Sequence, residues 1–210
     1  VLDYGFIQQK TASIASPYFT MTYVPDAQTL FEAGRKGSLA IKLDLLQQLL
    51  QAVRYLHRQG ILHRDLKPSN ILVAEGHLRL LDFGLSTEQN QSRMHATGTT
   101  AYMAPEVMQY RPASPSSDLY AVGVLAYELF SGHHPFNLDS LAFQRQVLSR
   151  APDLSLLPVP DSLKIVIGKL LAKQPEARYL SAFETLKALC RAMAQPLPPE
   201  TQAIRESYLQ

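Results

Sequence analysis

Three short blocks hold most of the residues able to do chemistry. His63-Arg64-Asp65-Leu66-Lys67-Pro68-Ser69-Asn70 comes first, Asp82-Phe83-Gly84 follows twelve residues after Asn70, and Gly98-Thr99-Thr100-Ala101-Tyr102-Met103-Ala104-Pro105-Glu106 closes the series. Asp65 offers a carboxylate that can orient a hydroxyl and accept its proton. Asn70 and Asp82 supply hard oxygen donors, which suit magnesium better than zinc. Lys67, two residues after Asp65, puts an ammonium on the same side of the loop. Taken singly, an aspartate behind an arginine is an ordinary loop residue or helix cap. The ordered set of three blocks carries the weight.

The elements around these blocks follow from hydrophobic spacing. From Ser38 to Gln59, Leu45, Leu46, Leu49, Leu50, Val53 and Leu56 fall on one helix face, and Gly60 is a stop. This long core helix delivers the chain to Asp65. Ile71–Val73 and Leu78–Leu81 flank Glu75-Gly76, which predicts a tight hairpin between the first two blocks. Asp118 to Phe130 is apolar almost all round, the pattern of a buried helix, with the Ser116 and Ser117 hydroxyls available to cap it and Gly132 to end it. Leu163, Val166, Ile167, Leu170 and Leu171 predict a one-sided helix closed by Pro175. Ser181 with Glu184 forms a capping-box pattern opening a last helix through Met193. At the start, Val1–Gln8 and Tyr18–Val24 read as strands of a hairpin across a polar stretch with Lys10, Thr11 and Ser13. The tail from Gln195 to Gln210 has three prolines and little periodicity, and reads as a linker.

Bulk properties bound the classes. Two hundred and ten residues, nearly half of them apolar, can bury one sizeable core. A net charge of +2 from 20 basic and 18 acidic residues gives no basic excess for nucleic acid or an anionic membrane surface. No apolar run approaches the roughly eighteen residues of a transmembrane helix. Cys190 is the sole cysteine, which rules out an intramolecular disulfide or a cysteine-rich zinc site and fits a reducing, cytoplasmic compartment. The first residue is Val1, not methionine, so a longer product is expected.

Together the three blocks match the protein-kinase signature set. The chain resembles a eukaryotic-like Ser/Thr protein kinase catalytic domain of bacterial flavour, from the fourth small-lobe strand to about Met193. The resemblance implies an α+β, protein-kinase-like fold with a mainly helical C-lobe and a truncated N-lobe hairpin. Residues 1–24 would be the N-lobe remnant and hinge, 25–194 the C-lobe, and 195–210 a linker or tail. It implies transfer of the ATP γ-phosphate to Ser/Thr hydroxyls of proteins, with ATP and Mg2+ as cofactors. Such transfer depends mainly on positioning and charge placement. Asp65, Lys67, Asn70 and Asp82 would be catalytic, Asn70 and Asp82 holding the metal and Lys67 facing the transferring phosphate. Lys67 and Thr99 resemble the Ser/Thr rather than the Tyr branch. His63 would be a packed, hydrogen-bonded residue beside Phe83 rather than a base. Arg64 would receive a phosphorylated activation loop, with Ser92 and Thr97 as acceptors, while Thr99 would contact Asp65 and Lys67. Glu106 and Arg178 would form a buried pair, and Asp118 would hold the catalytic-loop backbone. Tyr18–Val24 resembles the strand and hinge for adenine: Met21 as gatekeeper, Thr22, Tyr23 and Val24 as backbone contacts, Leu72 closing the pocket. Plain core packing is compatible at Met21 and Leu72.

The pattern breaks at the start. The family's glycine-rich loop, its strand lysine and the glutamate that pairs with it have no counterpart here: Gly5 is the only glycine before Gly34, and Lys10 the only lysine before the hinge. Two readings stand beside the kinase. A pseudokinase or regulatory scaffold applies if the natural protein lacks the upstream N-lobe. A small-molecule phosphotransferase such as an aminoglycoside kinase shares the aspartate but is not expected to carry Ala104-Pro105-Glu106. Expected partners are protein substrates and further domains of a longer polypeptide, not nucleic acid.

Overall fold

The computed structural model of the chain describes residues 3–7, 16–20, 23–81 and 99–198, with the backbone alone for 3–7, 16–19 and Thr99. At the start, β1 (Asp3–Ile7) pairs antiparallel with β2 (Ser16–Thr20), Asp3 opposite Thr20 and Gly5 opposite Tyr18. The predicted hairpin is present, but its second strand starts earlier than Tyr18, and Tyr23 and Val24 carry no strand pairing. They lead instead into a turn at Pro25-Asp26, where Asp26 adopts a left-handed φ of 52°, a conformation aspartate tolerates well.

A two-residue strand, β3 (Gln28–Thr29), then feeds α1 (Leu30–Arg35). Thr29 and Glu32 close a reciprocal capping box: the Glu32 amide donates to Thr29 Oγ1 at 3.3 Å and the Thr29 amide to Glu32 Oε2 at 2.7 Å. The long helix α2 (Leu39–Arg58) is capped by Ser38, whose hydroxyl accepts from the Ile41 amide, and Gly60 at φ 73° turns the chain out of it. Its predicted leucine face is buried with Leu43 and Ala52 added. Strands β4 (Ile71–Ala74) and β5 (His77–Leu80) pair through Glu75-Gly76. Both turn residues have positive φ, 51° and 78°, the geometry of a type I′ hairpin that glycine makes cheap. β3 pairs with the outer side of β4, giving the order β3-β4-β5, a strand too short to be read from sequence. The Gln48 side chain on α2 ties this sheet down, donating to the Gly76 carbonyl and accepting from the Leu78 amide.

Beyond Thr99, a 3-10 turn over Thr99–Tyr102 precedes α3 (Pro105–Met108), and α4 (Pro115–Ser131) follows. Helix α4 starts earlier than the apolar run suggested. Pro115 occupies its first turn, and Ser114, not Ser116 or Ser117, is the cap, in a box with Ser117. Gly132, left-handed at φ 79°, ends it as expected. Nearly every α4 side chain from Ser117 to Phe130 is buried, because other elements cover it on all sides. Helix α5 (Phe143–Ser149) was not legible in the sequence; α6 (Asp161–Leu170) and α7 (Ala182–Ala192) were. The α4–α6 crossing is close enough that a Cβ on Gly123 would come within 2.7 Å of Leu170 Cβ. At α7 only half of the expected box forms. Ser181 accepts from the Glu184 amide at 3.1 Å, while the Glu184 carboxylate turns to Lys187 at 2.7 Å.

One ion pair fastens α3 to the helical lobe. Arg178 Nη1 and Nη2 each reach a Glu106 oxygen at 2.8 Å, with both residues almost fully buried. The remaining guanidinium hydrogens go to the carbonyls of Ala172, Ser116 and Lys173, so all five donors are used. Ser117 Oγ adds a bond to Glu106 Oε1 at 2.8 Å. Burial alone would raise the Glu106 pKa; the bonds from Arg178, the backbone and Ser117 outweigh it and hold the carboxyl below its ordinary value. Arg178 also lies over the Tyr120 ring, as does Lys173 more distantly. The Lys173 ammonium nitrogen is out of solvent contact on the Phe136 face, 4.3 Å from the ring centre, with no hydrogen-bond partner among the described residues. Burial, then the Arg178 charge, push its pKa down to about 8.

Arg178→Ala leaves Glu106 buried and unpaired and is expected to cost roughly 3–5 kcal/mol in chemical denaturation. Because the folded-state pKa of Glu106 is depressed, its contribution is present above the ordinary carboxyl range and fades as pH falls through the folded value. An unchanged midpoint at pH 7 would overturn the role given to the pair. Lys173→Met, which keeps the stem and removes the charge, is expected to stabilise by about 1 kcal/mol at pH 7 once solvent screening is allowed for. The depressed lysine pKa makes its penalty full below pH 8 and smaller as pH rises toward the ordinary 10.5. Thermal melts of both proteins from pH 7 to 10 should therefore converge; parallel curves would show that the charge carries no penalty.

Candidate active site

The loop from Ile61 to Lys67 leaves α2 and has no regular structure of its own, so something else must fix it. That role falls to Asp118 on the first turn of α4. Its Oδ2 accepts from the His63 amide and its Oδ1 from the Arg64 amide, both at 2.9 Å. His57, in the last turn of α2, brings Nε2 to 2.8 Å from the same Oδ2. Arg64 sits at φ 67°, a left-handed conformation that costs an L-residue roughly 1–2 kcal/mol. Paired amide bonds to a buried carboxylate can sustain such a geometry. The resemblance pointed to Asp118 on this loop, and its carboxylate accepts the His63 and Arg64 amides; His57, whose only signal was a polar residue next to the buried face of α2, was not named from the sequence.

His63 is fully buried, and neither ring nitrogen has a hydrogen-bond partner among the described residues. Its full burial agrees with the expected packed role. Burial dominates and pushes its pKa down, against the opposing pull of the Asp118 and Asp65 carboxylates. A neutral imidazole closed off from solvent is a packing group.

The next residues point outward. Asp65 is half-exposed, and its Oδ2 lies 2.6 Å from Lys67 Nζ and 3.0 Å from Asn70 Nδ2. The same Asn70 amide nitrogen also donates to the Asp65 carbonyl at 2.9 Å. Pro68 opens a 3-10 turn over Pro68–Asn70, which folds Asn70 back onto Asp65 and buries it. The Leu81 amide then donates to the Asn70 carbonyl at 2.9 Å, so the chain that continues into Asp82 starts beside Asn70. Asp82 itself, with Met21, Thr22, Ser92 and Thr97, lies outside the described residues, as does the Thr99 side chain. Asp65, Lys67 and Asn70 are thus brought together. Leu72 is half-buried on β4 opposite Thr29 of β3, Tyr23 is exposed and Val24 is half-buried. No cluster of three or more His, Cys, Asp or Glu side chains suited to a metal occurs among the described residues. Among the described residues the Asn70 side-chain oxygen, its amide nitrogen being turned to Asp65, is the donor that fits a magnesium ion, which takes most of its other ligands from phosphates and water.

The model of the protein kinase domain matches residues 5–189. Among curated proteins, the chain is 36% identical over 193 residues to serine/threonine-protein kinase Pkn1 of Myxococcus xanthus, covering 85% of this chain and 28% of that protein. It is 32% identical over 207 residues to serine/threonine-protein kinase PknA of Mycobacterium tuberculosis, covering 95% of this chain and 48% of that protein. It is also 32% identical over 199 residues to serine/threonine-protein kinase AtPK1/AtPK6 of Arabidopsis thaliana, covering 89% and 42%. The chain spans about a quarter to a half of the length of these relatives. The match of the family model to residues 5–189, most of the chain, places it in the protein kinase domain family.

Proposed function

We propose that this chain is the catalytic lobe of a protein serine/threonine kinase, which moves the γ-phosphoryl group of ATP to Ser or Thr hydroxyls of proteins. The observation that carries the reading is the placement of the Asp65 carboxylate, held by Lys67 and Asn70 on a loop whose backbone is fixed from α4. In this reading the acceptor hydroxyl donates toward Asp65. Its oxygen bonds to the γ-phosphorus, the bond to the leaving ADP oxygen breaks, and Asp65 takes the proton. Lys67 is close enough to Asp65 to face the phosphoryl oxygens beside it. The family generally uses ATP and Mg2+; when bound, the metal would neutralise charge on the phosphates. Asn70 and Asp82 are the residues to hold it, and the Asn70 amide already commits its nitrogen to Asp65, so its carbonyl oxygen is the end left to a cation. Met21, Thr22, Tyr23, Val24 and Leu72 are assigned to the adenine side. Residues 25–194 would form the lobe, with 1–24 the edge of the nucleotide-binding lobe and 195–210 a linker. No helix among the described residues is long and apolar enough to cross a membrane. A single buried cysteine suits a cytoplasmic site of action.

Activity is expected to need residues upstream of Val1, because neither a glycine-rich loop nor a strand lysine is in the sequence. A missing donor at developing charge is worth roughly a hundred- to a thousand-fold in rate. Mg-ATP phosphotransfer to a generic protein should therefore be strong in an upstream-extended chain and at least about a hundredfold weaker in the 210 residues alone. Asp65→Ala in the extended chain should lower kcat by roughly 10²- to 10⁴-fold. Robust turnover by Asp65→Ala would remove the assignment.

Regulation is proposed to work through the segment between Ser86 and Thr97, with Ser92 and Thr97 as phosphate acceptors, Arg64 as the cation that orders the phosphorylated form, and Thr99 beside Asp65 and Lys67. Active enzyme should carry phosphate there by mass spectrometry, and phosphatase treatment should lower its activity at least several-fold. Full activity with no phosphate on this segment would refute the switch.

A further inference from the structure

The 3-10 turn over Thr99–Tyr102 is gripped from two sides. On one, the Tyr102 hydroxyl donates to Glu128 Oε2 of α4 at 2.9 Å. Burial, reinforced by the Glu128 carboxylate, raises the pKa of that phenol, so it stays a donor. On the other side stands His134, in the connection between α4 and α5. Its Nε2 lies 3.0 Å from the buried Ala101 carbonyl. Its Nδ1 faces the Phe136 main chain, 3.1 Å from the amide that donates to it and 2.9 Å from the carbonyl. The ring is wedged among Tyr102, Phe136 and Phe143, at centroid separations of 5.9, 6.1 and 5.8 Å.

These contacts fix the role of Nε2. A carbonyl can only accept, so Nε2 must carry hydrogen to bond Ala101. Two protonation forms allow it. In the neutral form Nδ1 accepts from the Phe136 amide; in the imidazolium Nδ1–H donates to the Phe136 carbonyl. The bond to Ala101 survives in both, whereas a tyrosine or lysine could not be held at Phe136 in the same two ways. No other side chain described here reaches the Ala101 carbonyl, and the 3-10 turn gives that residue no helix to satisfy it.

We propose that His134 is a positioning residue for the protein acceptor: through Ala101 it sets the main chain from Thr99 to Ala104, and with it the surface against which an acceptor peptide lies. This rests on the kinase reading above. The segment it holds is the stretch of chain that enters α3, whose Glu106 is already anchored at Arg178, so His134 completes the fixing of that stretch at its other end. The residue acts on the acceptor side only. Among the described residues its hydrogen bonds and ring contacts go to Ala101, Tyr102, Phe136 and Phe143, none of them in β3, β4 or the 23–29 segment, where the nucleotide is assigned.

The test uses the full-length gene product, a Ser-containing peptide acceptor and ATP, each varied at saturating levels of the other. Asn and Gln carry the same amide and differ in reach. His134→Asn can still meet the Phe136 amide but falls short of Ala101, whereas His134→Gln extends an N–H to about the place of Nε2. His134→Asn is expected to raise the KM for the peptide about tenfold, the size of one lost hydrogen bond, with the KM for ATP unchanged. His134→Gln should stay within about threefold of the unsubstituted enzyme. Thermal melts confirm that both variants fold, and Gln, the less perturbing of the two, keeps the comparison readable if Asn melts early. Equal peptide KM for Asn and the unsubstituted enzyme overturns the proposal. So does a defect that Gln shares in full, or one that appears equally in the KM for ATP. An unsubstituted enzyme with no phosphotransfer at all overturns the kinase reading itself, and this inference with it.

Discussion

The structure turns on a buried carboxylate that accepts two consecutive backbone amides. Asp118 sits in the first turn of α4, almost fully shielded from water, and bonds the His63 and Arg64 amides at 2.9 Å. A loop with no ladder of its own has many conformations of similar energy, and each residue fixed costs roughly 1–2 kcal/mol of entropy. Bonds to a charged acceptor are about twice as strong as neutral ones, and burial raises the cost of leaving the carboxylate unpaired. The left-handed Arg64 becomes affordable on those terms, and the residue after it, Asp65, emerges in a set direction. His57 adds a third donor to the same carboxylate from α2, so two core helices and the loop share one polar centre.

The same end of α4 organises the other half of the site. Ser114 and Ser117 cap the helix against each other, Ser117 passes a hydroxyl to Glu106, and the Ser116 carbonyl accepts from Arg178. Within five residues the helix start therefore holds the catalytic loop on one side and the segment entering α3 on the other. A buried ion pair is not in itself a large source of stability, since desolvation consumes much of the Coulomb gain. Its value here is specificity: a bidentate fork with all five guanidinium donors satisfied has one arrangement, and α3 cannot slide without breaking it. The helix can serve both partners because it is tightly packed in place. It is wrapped on all sides, and the close approach at Gly123 locks it to α6.

In the proposed kinase reading, chemistry is then left with little to do beyond placing charge. Lys67 and Asn70 both bond Asp65 Oδ2, from an ammonium and an amide held by a proline-started turn, which orients the carboxylate before any substrate arrives. Preorganised groups of this sort contribute because no reorganisation is needed at the moment of reaction. His134 extends the principle to the acceptor side: the ring holds a carbonyl that the local 3-10 turn leaves without a helical partner.

The sequence alone determined whatever depends on neighbours a few residues apart. Leucines spaced along one face gave α2 and α6, the uniformly apolar run gave the core of α4, and Glu75-Gly76 gave a hairpin because two positive φ values in a row favour glycine there. The motif residues Asp65, Lys67 and Asn70 belonged to the same class, their spacing being local to one loop, and the Glu106–Arg178 and Asp118 roles were reached only by resemblance to a family. Tertiary structure decided the rest. The cap of α4 moved to Ser114 because Pro115 fits the first helical turn, β3 exists only because β4 lies beside it, and Glu184 left its capping partner for Lys187. His57, Ser117 and His134 meet hydrogen-bond partners 61, 11 and 33 residues away. A hydrogen bond has a reach of about 3 Å and a fixed direction, so which distant donor meets which acceptor is settled by how the helices pack, and no local pattern records it.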